Sequence, residues 1–158
     1  QTKDDLMNLT GQARLGKGDK APDFTLPGLD GVAVRLADQK GKVVFLNIWA
    51  TWCPPCVDEM PSMEKLHQQL KGEDLEILAV SIDKKGVEAV LPLMKKHNLS
   101  FTALIDSKES LKYKYQTTGV PETFIIDRNG IIVEKVLGPT DWAAPDAIGF
   151  LQNLIQRK

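Results

Sequence analysis

Cysteine is scarce in this chain of 158 residues: there are two, Cys53 and Cys56, and they stand within four positions of each other. A domain of this length buries about 68–70% of its unfolded surface, so its core needs no framework of disulfides. Excess charge is lacking as well. With 20 basic and 21 acidic side chains the formal net charge is -1, which excludes electrostatic attraction to nucleic acid or an anionic membrane as the main binding principle. Long apolar runs are missing too. The longest, Val43 to Leu46 and Ile48 to Ala50, is interrupted by Asn47 and falls well short of the ~18 residues of a membrane span. Histidine is represented only by His67 and His97, which lack the paired spacing of a zinc site, and no further cysteine exists to complete one. No internal repeat, low-complexity stretch or interdomain linker interrupts the chain. What remains, at 42% apolar and 26% charged residues, is the composition of a globular domain. The chain begins with Gln1 and shows no signal-peptide core, so it is expected to be a processed form whose targeting or anchor segment is absent from it.

Residues 1–20 are mostly polar and are expected to form a tail, partly ordered at best, ahead of a domain over 21–158. Phe24 to Leu26 and Val32 to Leu36 flank Pro27-Gly28-Leu29-Asp30-Gly31, the pattern of a short hairpin. Lys42 to Trp49 is apolar except for Asn47, as suits a strand buried on both faces, with Trp49 in the core. A helix follows over Pro54 to Leu70, ended by Lys71-Gly72, with Pro61 expected to kink it. Then come a strand over Leu75 to Ile82, a helix over Lys85 to His97 kinked at Pro92, a short strand over Phe101 to Ile105 and a helical turn over Leu111 to Tyr115. Strands over Pro121 to Ile126 and Ile131 to Leu137 are joined by a turn containing Asn129-Gly130, a hairpin signal. A helix over Ala144 to Gln156 closes the chain. Strands that first alternate with helices and then end in a hairpin and a helix define an α/β fold, its mixed sheet parallel in the middle and antiparallel at one edge.

The segment Trp52-Cys53-Pro54-Pro55-Cys56 falls between the buried strand and its helix, at the carboxyl end of a strand, where open α/β sheets place their sites. With Cys53 as N-cap, Pro54 and Pro55 take the first helical positions, whose backbone donors have no partner inside the helix. The positive end of the helix dipole then favours the Cys53 thiolate. Cys56 lies one turn on, within reach of a disulfide. This arrangement supports thiol–disulfide exchange through a mixed disulfide, Cys53 being the exposed attacking sulfur and Cys56 the more buried resolving one. A structural disulfide between residues three apart would close too short a loop to stabilise much.

The run Gly41-Lys42-Val43-Val44-Phe45-Leu46-Asn47-Ile48-Trp49-Ala50-Thr51-Trp52-Cys53-Pro54-Pro55-Cys56, with Gly119-Val120-Pro121-Glu122-Thr123-Phe124-Ile125-Ile126-Asp127 downstream, resembles the extracytoplasmic thioredoxin-like proteins of the TlpA, ResA and CcmG (DsbE) type. The resemblance extends from about Gly18 to the end, including Ala21-Pro22-Asp23-Phe24. It implies a thioredoxin fold with a central mixed β-sheet flanked by helices, an added N-terminal hairpin and a helix-containing insertion. It further implies a periplasmic or membrane-anchored extracytoplasmic protein that reduces disulfides in partner proteins, such as apocytochromes c in cytochrome c biogenesis. A membrane thiol donor would re-reduce it. The redox-active Cys53–Cys56 pair would be its only cofactor, with no metal, and the protein is expected to be a monomer.

Pro121 resembles the cis-proline facing the CxxC in this family, which lets the Val120 backbone pair with an extended substrate. Glu59, one turn past Cys56, could accept or relay the proton of the buried thiol, and related proteins carry an acid there. Ordinary thioredoxins carry a buried aspartate where Asn47 stands. An amide cannot take up a proton at neutral pH, which moves that task to Glu59. Glu122 resembles the acidic position of the CcmG-like branch, where it could tune the thiols or contact substrate, or lie at the surface beside the site. Trp52 should be partly exposed as an apolar platform for a partner. Trp142 resembles a family element ahead of the last helix and reads as structural. Two other functions compete. A thiol peroxidase of the peroxiredoxin superfamily shares the hairpin, but needs a proline ahead of a threonine that lies three before the reactive cysteine. Ala50 and Cys53 occupy the threonine positions here. A Cu(I)-binding metallochaperone could use the two thiolates, but neither histidine lies near the second motif to add a ligand.

Overall fold

The computed structural model describes residues 15–157. Strands β1 (Thr25–Pro27) and β2 (Ala33–Arg35) form a two-stranded hairpin. The main sheet comprises β3 (Val43–Trp49), β4 (Leu75–Ser81), β5 (Thr102–Ile105), β6 (Glu122–Ile126) and β7 (Ile132–Leu137), in the order β5-β4-β3-β6-β7. Pairings β3–β4 and β4–β5 are parallel, whereas β3–β6 and β6–β7 are antiparallel. The mixed sheet expected from the order of elements is therefore present. Among the described residues, the helices are α1 (Pro54–Leu70), α2 (Val87–Lys96), α3 (Ser110–Lys114) and α4 (Pro145–Gln156). Helices α1 and α2 run through Pro61 and Pro92 as single elements.

Every residue of β3 is buried, because both faces of the sheet are covered and alternate side chains feed two cores. Val43, Phe45 and Trp49 pack with Met60, Met63 and Leu66 of α1 and with Leu151 of α4. Val44, Leu46 and Ile48 pack on the other face with Phe24 and Leu26 of the hairpin segment, Leu111 of α3, and Tyr115. Tyr115 meets Phe24 and Phe124 edge to face and donates its hydroxyl to the Pro22 carbonyl, fastening the hairpin segment to the sheet.

One segment differs from the sequence expectation. Leu36 leaves the hairpin strand and opens a 3-10 turn over Leu36–Gln39, because Asp23 accepts the Ala37 amide and draws the chain back. Residues 15–20 lie against β7: the Gly18 amide donates to the Ile132 carbonyl and the Ile132 amide to that of Asp19. The remainder of the tail expected over 1–20 lies outside the described residues. Among the described residues, no helix is long and apolar enough to cross a membrane.

Candidate active site

The site stands where β3 ends and α1 begins. Cys53 has extended backbone angles and caps α1, its sulfur accepting the Cys56 amide at 3.4 Å, with Pro54 and Pro55 at the first helical positions. The sequence thus places the cap and the prolines where the helix has no use for backbone donors. The antiparallel register pairs Asn47 with Thr123 and Ile48 with Glu122, which carries the start of β6 to the redox end of β3. The Val120–Pro121 bond is cis, and the Cys53 thiol lies 3.7 Å from the Val120 carbonyl, to which it donates. Both cysteines are free thiols.

Their burial is ordered as expected, but the difference is small: Cys53 is 6% exposed and Cys56 0%. The expectation of an exposed Cys53 is corrected to that extent, because Val120 and the helix amide enclose its sulfur. Trp52, by contrast, is 65% exposed. Trp52, Cys53 and Pro54 line a groove with Ile82, Thr118 and Val120, and this is where an extended chain could reach the sulfur. Burial first, then Cys53 beside it and the negative charge of Glu59, push the Cys56 thiol well above its ordinary value. Cys56 therefore remains protonated until something takes its proton.

Glu59 is 3% exposed, not a solvated helix side chain. Its Oε1 accepts from Asn47 Nδ2 at 3.1 Å, and its Oε2 accepts from the Thr140 amide and Trp142 Nε1 at 2.9 Å each. Burial raises its pKa above the usual carboxylate value, and the donors from Trp142, Thr140 and Asn47 pull it part of the way back. Asn47 donates also to the Thr123 hydroxyl at 2.9 Å. Asn47 is thus wired directly to Glu59.

Glu122 is also buried, at 2% exposure, rather than at the surface. Its Oε1 accepts from both the amide and the hydroxyl of Thr118, at 2.9 and 3.0 Å. That bond holds a segment lining the groove. Sequence reasoning missed Asp83. Its carboxylate accepts from the Thr51 amide at 2.9 Å, and from the hydroxyls of Thr51 at 2.5 Å and Ser81 at 2.6 Å, so it holds the turn that presents Trp52 and Cys53. The acid one residue past a buried strand end was the available signal. Trp142, read as structural, packs edge to face on Phe45 at 4.7 Å and in addition touches Glu59. Among the described residues, no group of three or more His, Cys, Asp or Glu side chains could hold a metal.

A vicinal thiol pair capping a helix beside a cis-proline, on a sheet of this order, defines a thioredoxin-like thiol-disulfide oxidoreductase. The chain belongs to the AhpC/TSA family, which it matches over residues 17–135, and within it to the TlpA/ResA/CcmG type. It is 37% identical to the thiol-disulfide oxidoreductase ResA of Bacillus cereus over 137 residues, 87% of this chain and 78% of that protein. Identity to ResA of Bacillus subtilis (strain 168) is 35% over 128 residues, covering 81% of this chain and 71% of the relative. Among solved structures, a putative thiol:disulfide interchange protein DsbE from Chlorobium tepidum superposes with a TM-score of 0.76 at 35% identity, covering 89% of this chain and 96% of the other.

Proposed function

We propose that this protein reduces disulfides in partner proteins outside the cytoplasm, with Cys53 attacking, Cys56 resolving and Glu59 accepting the proton of Cys56. The observation that carries the reading is the position of Cys56, fully buried one helical turn from a buried carboxylate. A partner chain lies in the groove between Trp52 and Val120. Cys53 gives up its thiol proton, its thiolate attacks one sulfur of the partner disulfide, the partner S–S bond breaks, and the departing thiolate takes up a proton. Cys56 then gives its proton to Glu59, and the resulting thiolate attacks Cys53 in the mixed disulfide. The second partner sulfur leaves as a thiolate and takes up a proton, and both electrons have passed from the Cys53–Cys56 pair to the partner. A thiol donor restores the pair.

Pro54 withholds a backbone donor from Cys53, and neither residue between the cysteines is charged, which supports a pair that acts as a reductant. The resemblance to the TlpA, ResA and CcmG type supports apocytochromes c as substrates, an extracytoplasmic location with an anchor, and a membrane thiol conduit as donor. The test is the fate of two variants. Cys53→Ala should abolish exchange, whereas Cys56→Ser should accumulate a mixed disulfide with the partner. Normal turnover by Cys56→Ser would overturn the assignment of roles. A reduction potential near that of strong oxidants, roughly -120 mV, would overturn the direction.

A further inference from the structure

The two oxygens of Glu59 face partners of different chemistry. Oε2 receives the Thr140 amide and the Trp142 indole N–H, and both are donors that cannot become acceptors. A proton on Oε2 would point at one of them, so this oxygen is confined to acceptance. Oε1 instead meets the Asn47 amide, which is reversible. The Asn47 Oδ1 is buried and has no hydrogen-bond partner among the described residues, an uncompensated cost in the observed orientation. A half-turn of the amide exchanges Nδ2 for Oδ1. The oxygen could then accept from a protonated Oε1 and from the Thr123 hydroxyl, which can serve as donor or acceptor.

We infer that Trp142 is a positioning residue of the exchange reaction: with the Thr140 amide it reserves Oε2 as an acceptor, so that the proton given up by Cys56 is carried on Oε1, at the Asn47 end. The inference rests on Glu59 being the proton acceptor proposed above. In the step, the S–H bond of Cys56 breaks with its electron pair kept on sulfur, and an O–H bond forms at Oε1. Few other charges among the described residues surround the carboxylate. Helix α1 contributes Cys53 and Cys56 at its start, and Asp58 and Lys65 line a second hollow, separate from the partner groove, with Glu59 and with Asp141 of the loop between β7 and α4. Strands β3 and β6 offer only the neutral Asn47 and Thr123. The indole N–H therefore matters to the acidity of Glu59 in a way that its packing on Phe45 does not.

Replacing the Trp142 indole with its benzothiophene analogue retains the shape and the contact with Phe45 but deletes the N–H; Trp142→Phe is the simpler companion. The Glu59 carboxyl carbon is followed by NMR across pH in the reduced full chain. Loss of one hydrogen bond to a carboxylate should raise the Glu59 midpoint by about one pH unit. In the unsubstituted protein, the Asn47 side-chain amide signals should move with that same midpoint while the Trp142 indole signal keeps its hydrogen-bonded position. An unmoved midpoint in the folded benzothiophene variant would overturn the inference, as would an indole signal that loses its hydrogen bond when Glu59 is protonated. The titration needs no substrate, so it is separable from the reading on which it rests. Exchange by Glu59→Gln at the wild-type rate would overturn that reading, and the catalytic meaning of Trp142 with it.

Discussion

Glu59 and Glu122 stand at the same end of the sheet but on opposite faces. Asn47 and Thr123, paired across β3 and β6, turn toward α1 and reach Glu59. Glu122 precedes Thr123, so strand alternation sends it to the other face, beneath Thr118. On the first face both carboxylate oxygens are served by donors from separate segments, β3 and the loop ahead of α4. On the second, Oε1 holds one loop segment and Oε2 has no hydrogen-bond partner among the described residues. The residue type and burial are the same, yet one acid lies one turn beyond a protonated thiol and the other anchors a wall of the groove. Burial alone therefore does not distinguish the two acids; the position of Glu59 one helical turn from Cys56, and its donors from Asn47, Thr140 and Trp142, do.

The largest effect should separate the two acids by step. Glu59→Gln removes the group proposed to take the Cys56 proton, and loss of a general base typically costs about 10²–10⁴-fold. The fall should appear in kcat, measured as turnover of a disulfide-containing peptide, and the mixed disulfide should accumulate. Glu122→Gln keeps an acceptor for Thr118 and should change KM for the partner, by about tenfold or less. Equal losses of kcat in both variants would erase the proposed distinction.

A smaller effect concerns stability. Burial raises Glu59 above the ordinary value of 4.5, so the folded state binds this proton more tightly than the unfolded one. Its contribution is fully present below the unfolded value and is lost as pH rises through the folded one. The glutamine variant escapes that loss: its amide oxygen can accept from Trp142 and Thr140, and its NH2 can donate to Asn47 Oδ1 after a half-turn. In denaturant titrations, the stability of Glu59→Gln relative to wild type should therefore increase from about pH 4 upward across the raised midpoint. A difference that is flat with pH would mean that Glu59 titrates alike in both states.

Much of the redox end was legible because local chemistry fixes it. The buried run of β3, the two prolines after Cys53, and Lys71-Gly72 locate α1 over its observed span of Pro54–Leu70. Pro121 and Glu59 followed from motif and helical spacing. What escaped was set by contacts between segments distant in sequence. Trp142 stands 83 positions from Glu59 and Asp83 stands 32 from Thr51; the strand end marks Asp83 as a candidate, but neither partner can be read from local spacing. Glu122 was ambiguous because the face taken by the first residue of a strand depends on register, which only the pairing with β3 decides. The low exposure of Cys53 likewise depends on Val120, 67 positions away.

The smallest effect tests the second face by itself. Thr118 donates twice to Glu122, through its amide and its hydroxyl, and Thr118→Val deletes only the hydroxyl while retaining the branched shape. The backbone bond persists, so the groove wall should loosen without collapsing. KM for an extended disulfide peptide should rise by about fivefold, the worth of roughly one hydrogen bond, with kcat and the Glu59 titration unmoved. If kcat fell instead, the two faces would be coupled through β3 and β6, and the separation of proton transfer from substrate holding would fail.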